Sequence, residues 1–387
     1  MIRSQLSISS SLAALAAAAL VVAAGGQDTP GRQRDAPLTH YLGREIAQTM
    51  HWMSAGWLMR ETREKEENGV RLRELLHLKP GQVVCDLGCG NGYHSLPLAR
   101  AVGERGRVLA VDLQPEMLEL LRERAEEEQL TNIEYVEATA DDPRLRARSC
   151  DLILMVDVYH ELSYPRKVLR RLRAALKPGG RLVLVEFRAE DPDVPIKPLH
   201  KMTKAQVIQE LATNGFRFAE ERDELPWQHV LAFERLESEA ELKRPDHWAA
   251  TQVAEGLWRA WRAGDTRTLR GFYAEQVQVL AGSELLKEQH GGEPGDREKG
   301  ATMAREPWLK RLAAAIESIG IDRWTEALGS WRVLTLEKAG AQSLVEGAEY
   351  VLVVGPDDRS STDDRFRFYF GRDAEGRWKL VGEATDF

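Results

Sequence analysis

Three glycines at alternate positions follow a short apolar run and precede a helical stretch. They are Gly88, Gly90 and Gly92 of the segment VVCDLGCGNGYHSLPLAR, residues 83–100. Glycine adopts positive φ without strain and lets a ligand approach the backbone closely, and the N–H groups that start the next helix can bind that ligand. The spacing D-x-G-x-G-x-G differs from the dinucleotide fingerprint G-x-G-x-x-G, whose third glycine would fall at Tyr93. The loop therefore favours a methionine-derived cofactor over NAD.

A carboxylate stands 20 residues beyond the last glycine of this loop. Asp112 ends the run VLAVD, which is typical of a strand. At the tip of the strand beside the loop, a carboxylate can accept hydrogen bonds from both hydroxyls of a ribose, and bonds to charged groups are worth about 1.5–3 kcal/mol. The alternative is a surface carboxylate at a strand end. The distance from the glycine loop favours ribose binding.

Further polar side chains follow two later strands, and in open parallel sheets the ligand crevice lies at the carboxyl ends of the strands. The candidates are Asp157, Tyr159, His160 and Glu161 after the fourth strand, and Glu186 and Arg188 after the fifth. His160 is the predicted general base, with Asp157 and Tyr159 beside it as further candidate catalytic residues. The alternative for His160 is a structural histidine bonded to the backbone.

A metal site is not predicted from these residues. The His160-Glu161 pair lacks the H-E-x-x-H spacing, and Ser163 and Tyr164 supply no second ligand. The three cysteines, Cys85, Cys89 and Cys150, form no CxxC pair, so we expect them to be packing residues.

Strands and helices alternate from residue 82 onward, and this pattern predicts parallel strands with helical crossovers on both sheet faces. The predicted parallel strands are Gln82–Leu87, Arg107–Asp112, Ile133–Glu137, Asp151–Asp157 and Arg181–Phe187. Two more runs, Phe216–Arg222 and His229–Glu234, are too close together for a crossover helix, so we expect them to be antiparallel. The predicted fold is α/β, a doubly wound and mostly parallel seven-stranded sheet.

The segments around these strands resemble a known family. VVCDLGCGNG, VLAVDLQPEML, NIEYVEATADD, DLILMVDVYHEL and ALKPGGRLVLVEF resemble, in order and spacing, the motifs of class I S-adenosylmethionine-dependent methyltransferases, within residues 38–236. The resemblance implies S-adenosylmethionine as cofactor and a small molecule as methyl acceptor. The whole block is similar to a group of bacterial methyltransferase-domain proteins of unassigned substrate.

The resemblance also implies which residues hold the cofactor. They are Asp86, Gly88, Cys89, Gly90, Asn91, Gly92, Asp112, Leu113, Thr139, Ala140, Asp141 and Asp157. Asp86 and the loop are implied to hold the methionine end, Asp112 the ribose, and residues 139–142 the adenine. Thr139 stands where the family usually has an acidic residue, so the adenine contact is expected to pass to Asp141.

A lid over the crevice is predicted from two segments that flank the core motifs. One is the N-terminal Tyr41–Arg60 region, with Trp52 and Trp57, and the other is VPIKPLHKMT, residues 194–203, with Lys197 and His200. Each of these four side chains could contact the substrate, and the alternative is that it is a packing or surface residue. The charged block REKEE at 63–67 is typical of a solvated helix face.

The N-terminus resembles a secretory signal peptide. One arginine precedes the small-apolar run SLAALAAAALVVAA, and small residues follow at positions that suit cleavage. We expect a signal peptide at 1–26, a linker at 27–37 and export, with a cytoplasmic protein as the alternative. Other apolar stretches are too short to span a membrane. The net charge of −8 argues against a nucleic-acid partner.

A second unit is predicted after a linker at 237–247. Residues 248–387 contain helical patterns followed by three alternating runs, which suggests an α+β fold. The segments WAATQVAEGLWRAWRAGDTRTLRGFYAEQVQVLAG and DRFRFYFGRDAEGRWKLVGEATDF within it resemble the nuclear transport factor two-like or SnoaL-like cone. Such cones enclose an apolar pocket. The residues that could line it here are Trp258, Trp261, Tyr273 and Trp331, and the alternative for each of them is packing in the core. We expect this domain to bind a ligand or to mediate assembly, and we expect the protein to form a homodimer through it.

These features support two functions of different kinds. The first is methyl transfer to a small molecule. The second is ligand binding by an exported, non-catalytic relative, because S-adenosylmethionine is made in the cytoplasm. The intact glycine loop and Asp112 favour the enzyme, and the glycine spacing disfavours a third possibility, a nicotinamide oxidoreductase.

Overall fold

A computed structural model describes residues 36–237, 245–279, 301–319, 321, 331–339, 348–356, 365–374 and 377–386. The predicted signal peptide at 1–26 and most of the 27–37 linker lie outside these residues. Leu38–Phe387 forms one compact unit. No helix in the described ranges has the length and apolar character needed to cross a membrane.

A large mixed sheet organises the first part of the chain. Its strands run in the order β5-β4-β3-β6-β7-β10-β9, with β8 paired to β7. The strands are β3 Val83–Leu87, β4 Arg107–Asp112, β5 Ile133–Glu137, β6 Cys150–Val156, β7 Leu176–Arg188, β8 Lys201–Met202, β9 Phe216–Arg222 and β10 Gln228–Arg235. Pairing is parallel from β5 to β7 and antiparallel for β10 with β7 and β9, as predicted. The short strand β8 was not predicted.

Helices cover both faces of this sheet. They are α1 Arg63–Glu67, α2 Gly69–Leu75, α3 Ser95–Val102, α4 Pro115–Glu127, α5 Pro165–Ala175 and α6 Lys204–Thr213. Before them lie a two-residue hairpin, β1 His40–Tyr41 with β2 Arg44–Glu45, and a 3-10 helix at Trp52–Met59. Pro115 and Pro165 stand in the first turns of α4 and α5, where the missing N–H costs no hydrogen bond.

The inner strands read as continuous apolar runs because both of their faces are buried. Cys85 and Ile153 pack into one cluster, whereas Val84 and Leu152 pack into another on the opposite face. All four side chains are at most 1% exposed. This alternation is the two-residue period of a strand, applied to a sheet with helices on each side.

One predicted boundary is wrong. The strand predicted at Arg181–Phe187 begins earlier, because Lys177–Gly180 also belongs to β7. Leu176 pairs with Cys150, and the register shifts before Arg181 pairs with Leu152. A bulge thus lets the strand continue through residues that usually form a turn.

A second sheet follows in the C-terminal part. Its order is β12-β11-β16-β15-β14-β13, with β11 and β16 parallel and the other pairs antiparallel. The strands are β11 Tyr273–Val279, β12 Ala301–Ala304, β13 Trp331–Lys338, β14 Tyr350–Pro356, β15 Arg365–Arg372 and β16 Trp378–Asp386, and the helices are α7 Pro245–Arg262, α8 Thr266–Phe272 and α9 Arg305–Ile319. Two of these strands, β12 and β13, were not predicted.

The two sheets share a hydrophobic core. Ile208 and Leu211 of α6 belong to the same buried cluster as Val253 and Leu257 of α7. Trp258 and Trp261 stack with ring centroids 6.0 Å apart, and both are buried, as is Tyr273. The side chain of Trp331 lies outside the described part of the structure.

Candidate active site

The glycine loop begins where β3 ends and turns sharply towards α3. Gly88 has φ +73° and Gly90 has φ +52°. A Cβ on Gly90 would lie 2.7 Å from Cδ1 of Leu58, and one on Gly88 would collide with the side chain of Val158. Both conformation and space therefore require glycine at these positions.

Asp112 stands at the end of β4 beside the loop, as predicted. Its Oδ2 accepts from the Gly90 N–H at 2.9 Å, and its Oδ1 accepts from the Gln114 N–H at 2.9 Å. Burial raises the pKa of Asp112, although these backbone donors oppose the shift. The Leu113 N–H also lowers this pKa as a backbone donor. A carboxylate has about four acceptor positions, so at least one stays available to a ligand.

A cavity of about 500 Å³ opens at the carboxyl ends of the parallel strands. This volume is typical of a small-molecule site. Eight residues predicted as cofactor or catalytic groups line it: Gly88, Gly90, Asp112, Leu113, Thr139, Ala140, Asp157 and His160. Lys197, His200 and Trp57, the predicted lid contacts, line it as well.

Six other predicted site residues do not line the cavity. They are Asp86, Cys89, Asn91, Gly92, Asp141 and Tyr159. Asn91 donates from Nδ2 to the Ala55 carbonyl at 3.1 Å. The Asp141 side chain is 45% exposed, accepts from Thr139 Oγ1 at 3.1 Å and pairs with Lys167 at 3.3 Å. The structure therefore presents Thr139, and not Asp141, to the cavity.

Asp86 and Tyr159 lie behind the cavity wall in buried networks. Asp86 accepts from Ser95 Oγ at 2.6 Å, and burial raises its pKa to about 6. Tyr159 is fully buried, and its hydroxyl donates to Glu210 Oε2 at 2.8 Å. Their contacts position the glycine loop and the segment after β6.

Asp157 carries an unpaired acceptor into the cavity wall. Its φ is +54°, its Oδ2 accepts from Gln228 Nε2 at 2.8 Å, and its buried Oδ1 has no hydrogen-bond partner. Burial raises the pKa of this carboxyl well above its usual value, and nearby Glu67 and Glu186 add to the shift. A buried acceptor without a donor costs free energy, which a ligand N–H group could recover.

Arg63 is a site residue that sequence reasoning missed. It lines the cavity and is only 4% exposed. Its Nε donates to Glu67 Oε2 at 2.8 Å, Nη1 donates to the Leu58 carbonyl at 2.8 Å, and the guanidinium lies 4.0 Å from the Tyr93 ring centroid. The prediction that 63–67 is a solvated helix face is therefore wrong for Arg63 and Glu67, which neutralise each other in the interior, whereas Glu64 and Lys65 are exposed.

His160 lies at the other end of the cavity in a cluster of ionisable groups. Its Nδ1 is 2.6 Å from Glu186 Oε2, and its Nε2 is 3.1 Å from Nδ1 of His200. The Glu161 carboxylate lies 3.8 Å from His160 Nε2 and 3.9 Å from His200 Nδ1. Burial raises the pKa of Glu161 to about 7, with Glu186 adding to the shift and His160 opposing it. Burial lowers the pKa of His200, and the charges of His160 and Lys197 lower it further.

The predicted lid is tied to the cofactor end by Gln114. Its Oε1 accepts from the Trp52 N–H at 2.8 Å, and its Nε2 donates to the Met50 carbonyl at 3.0 Å. Trp57 lines the cavity but is 46% exposed, and the Arg60 guanidinium lies 3.7 Å from its ring centroid. The side chain of Trp52 does not line the cavity.

Comparison with known proteins agrees with this geometry. Residues 84–180 match the family described as "Methyltransferase domain". The ubiquinone/menaquinone biosynthesis C-methyltransferase UbiE of Vibrio vulnificus is 32% identical over 146 residues, which cover 38% of this chain and 55% of that protein. Its counterpart from Klebsiella pneumoniae is 33% identical over 147 residues, covering 38% and 57%. The chain thus spans about half the length of the curated relatives it matches.

The chain is also similar to a solved structure, a SAM dependent methyltransferase from Aquifex aeolicus, with 25% sequence identity and a TM-score of 0.46. The match covers 48% of this chain and 98% of the Aquifex aeolicus chain. The family match at residues 84–180 covers the glycine loop, Asp112 and all but the first residue of the two strands that carry them. The chain therefore contains a class I S-adenosylmethionine-dependent methyltransferase domain, whose cofactor is S-adenosylmethionine.

Proposed function

We propose that this protein transfers a methyl group from S-adenosylmethionine to a small-molecule acceptor. The observation that carries the proposal is one cavity with two chemically different ends. At one end Asp112 holds the glycine loop by its bond to Gly90. At the other end His160 is held by the buried carboxylate of Glu186.

The first end suits each part of the cofactor. Asp112 is placed to accept from the ribose hydroxyls, while Leu113, Thr139 and Ala140 line the wall for the adenine. Asp157, with its unpaired buried Oδ1, suits the ammonium of the methionine part. Arg63 suits the carboxylate of the methionine part, because a guanidinium group can bind a carboxylate through two parallel hydrogen bonds.

The second end supports the chemistry of transfer. When bound, S-adenosylmethionine supplies the methyl group: the acceptor's nucleophilic atom bonds to the methyl carbon while the carbon–sulfur bond breaks, the electron pair stays on sulfur, and S-adenosylhomocysteine results. Glu186 accepts from Nδ1 of His160, so the lone pair that can accept a proton from the acceptor is on Nε2, which lies 3.1 Å from Nδ1 of His200. Positioning the acceptor next to the methyl group is the larger share of the catalysis, worth several kcal/mol.

The wall around this end is mostly apolar, which favours a compact apolar acceptor with one polar group. The residues that form it include Met50, Val158, Leu162, Phe187, Pro195 and Ile196. The relatives named above are C-methyltransferases of quinone biosynthesis, but the match covers only about half of them. We therefore propose the acceptor by its chemistry, as a small molecule and not a nucleic acid, in keeping with the net charge of −8.

Export is a second part of the proposal. It is supported by the small-apolar run at 11–24 after Arg3. Fractionation and N-terminal sequencing test it: a mature chain that starts near residue 27 outside the cytoplasm is expected. An intact Met1 terminus in the cytoplasm would contradict export and leave the methyl-transfer proposal standing.

For the C-terminal part we propose a SnoaL-like cone that binds a ligand or mediates dimerisation. The two helices α7 and α8 precede a six-stranded sheet in which the first and last strands, β11 and β16, are neighbours. Trp258, Trp261 and Phe368 form an aromatic group within its core. Light scattering of the purified chain tests the dimer, and a monomer at all concentrations would contradict it.

Calorimetric titration tests the enzyme proposal. The purified chain is expected to bind S-adenosylmethionine and S-adenosylhomocysteine at one equivalent and to show no binding of NAD. A screen of small metabolites with a radiolabelled methyl donor then identifies the acceptor. A folded protein that binds neither S-adenosylmethionine nor its product would favour the non-catalytic alternative.

A further inference from the structure

We propose that His160, Glu161 and His200 bind a divalent transition-metal ion at the acceptor end of the cavity. The three side chains come from two segments that are far apart in the sequence, after β6 and just before β8. One ligand atom from each lies within 4.8 Å of the others. All three residues line the cavity that also contains Gly88, Gly90 and Asp112.

The distances between the ligand atoms suit a single ion. Zinc binds histidine nitrogen at about 2.0–2.1 Å and carboxylate oxygen at about 2.0–2.2 Å, so neighbouring ligand atoms lie roughly 3–3.5 Å apart. His160 Nε2 and His200 Nδ1 are 3.1 Å apart. Glu161 Oε1 is 3.8 Å and 3.9 Å from them. A movement of the Glu161 carboxylate by a few tenths of an ångström would bring all three ligand atoms to the spacing of a single ion.

A buried carboxylate orients the first ligand. Glu186 Oε2 is 2.6 Å from Nδ1 of His160, and Oε1 of the same carboxylate accepts from the Tyr159 N–H at 2.9 Å. Metal-bound histidines generally donate their second N–H to a carboxylate or carbonyl, which fixes the tautomer and the ring orientation. This arrangement leaves the lone pair of His160 Nε2 for the ion.

The charge balance of the cluster also favours a cation. Glu161 and Glu186 bring two carboxylates, and the ion pairs that described residues form with them are all with His160 or His200. Arg44 is close by, but it pairs with Glu210, with Nε 2.7 Å from Oε1. A divalent ion would neutralise both carboxylates in a setting where isolated charges are costly.

Two imidazoles and one carboxylate indicate the class of ion. Mg²⁺ and Ca²⁺ prefer sets made only of oxygen ligands, whereas imidazole suits zinc, iron, cobalt and nickel. Three protein ligands leave at least one coordination position for a water or a substrate. Because the ligands line the cavity, that position is accessible to the acceptor.

The proposed metal site also limits the chemical class of the methyl acceptor, and this step rests on the proposed methyl transfer. An acceptor hydroxyl bound to the ion loses its proton to water more easily, since a divalent ion lowers the pKa of a bound oxygen acid. The resulting oxygen anion bonds to the methyl carbon as the carbon–sulfur bond breaks, and the overall products are a methyl ether, S-adenosylhomocysteine and one proton. The acceptor class is thus a phenol or enol. With the ion bound, His160 Nε2 is a ligand, so the base role proposed above applies only to the metal-free protein.

Cobalt binding tests the site without any dependence on turnover. The untagged full chain is stripped with a chelator and titrated with Co²⁺, and the visible d–d absorption of the bound ion is recorded. We expect saturation at one equivalent. His200→Ala and Glu161→Gln should each weaken Co²⁺ binding at least tenfold, and Glu186→Gln should weaken it 10–100-fold through the orientation of His160.

His77→Asn is the matched control, because His77 is exposed, lies outside the cavity lining and has φ +47°, which asparagine tolerates. It should bind Co²⁺ as tightly as the wild type. His200 has a side chain one-third exposed, so its removal leaves the core closed, and circular dichroism verifies the fold. Absence of stoichiometric Co²⁺ binding, or equal binding by His200→Ala, would overturn the metal site.

Titration of the same samples with S-adenosylmethionine separates the two proposals. Cofactor binding without Co²⁺ binding would remove the metal and keep the methyltransferase. Co²⁺ binding without cofactor binding would keep the metal site and remove the methyl-transfer step, together with the acceptor class drawn from it.

Discussion

The carboxylate of Asp112 accepts a hydrogen bond from the backbone N–H of Gly90, with 2.9 Å between Oδ2 and the nitrogen. The second oxygen accepts from the Gln114 N–H, and the Gln114 side chain in turn bonds to the backbone of Met50 and Trp52. The strand tip, the glycine loop and the lid are therefore one hydrogen-bonded unit. Binding of a nucleoside against Asp112 should order all three together.

Replacing Asp112 by alanine should weaken S-adenosylmethionine binding about tenfold or more, which corresponds to ~1.5 kcal/mol and upward. The variant loses the ribose acceptor and the bond that shapes the loop. Calorimetry measures the affinity, and Glu119→Gln, an exposed carboxylate on the following helix α4, is the control. Unchanged affinity in Asp112→Ala would show that the ribose assignment is wrong.

Arg63→Met should separate the two halves of the cofactor. We expect affinity for S-adenosylmethionine to fall at least tenfold, because the carboxylate loses its guanidinium. Affinity for methylthioadenosine, which lacks the amino-acid part, should stay within about twofold. Arg60 still pairs with Glu67 at 2.6 Å, so Glu67 keeps one partner in the variant. Equal losses for both ligands would mean that Arg63 acts only on the fold.

His160→Ala should abolish most turnover while cofactor affinity is retained. The expected loss is about 10²–10⁴-fold, the usual contribution of a positioned proton acceptor. Once an acceptor is known, single-turnover rates and calorimetry on the same protein provide the measurement, with His77→Asn as control. A normal rate would exclude His160 from the chemistry, both as a base and as a ligand.

Tyr159→Phe should leave turnover nearly unchanged and lower stability by about 1–2 kcal/mol. The hydroxyl bonds to Glu210 in the interior, not to the cavity, so its removal leaves part of a buried carboxylate unsatisfied. Thermal unfolding and initial rates test this pair of expectations. A large loss of rate with an unchanged melting temperature would restore the catalytic role first predicted for Tyr159.

Asp86 should make the folded state less stable as pH rises. Burial raises its pKa to about 6, above the unfolded value of about 3.9, so the native state binds the proton more tightly. Stability from this group is therefore present at low pH and is lost between about pH 4 and 6, by roughly 2–3 kcal/mol. Asp86→Asn should unfold at a higher temperature than the wild type at pH 8, and this advantage should shrink towards pH 4.

The exposed Asp193→Asn serves as the control for Asp86. Its unfolding temperature should follow that of the wild type at every pH. Parallel curves for Asp86→Asn and the wild type would contradict the assigned pKa.

Local order explains why much of the fold could be predicted. Strand, loop and helix around Gly88 and Gly90 are adjacent in the chain, and Asp112 ends the next strand, so spacing alone places them together. The same reasoning predicted strand β4 and strand β9 to the residue. It missed β8, which has two residues and pairs only because β7 is beside it.

The sequence by itself determined the cofactor loop, its acidic partner and the parallel direction of the first five strands, because glycine spacing and apolar periodicity are short-range signals. Only the tertiary structure decided that Arg63 is a buried cavity residue and that His200 lies 3.1 Å from His160 across 40 positions of chain. Such contacts depend on how distant segments pack over the sheet. The charge and apolar patterns of a sequence do not show which distant segments will pack together. For this reason the segment REKEE, residues 63–67, was predicted to be solvated although Arg63 and Glu67 are buried.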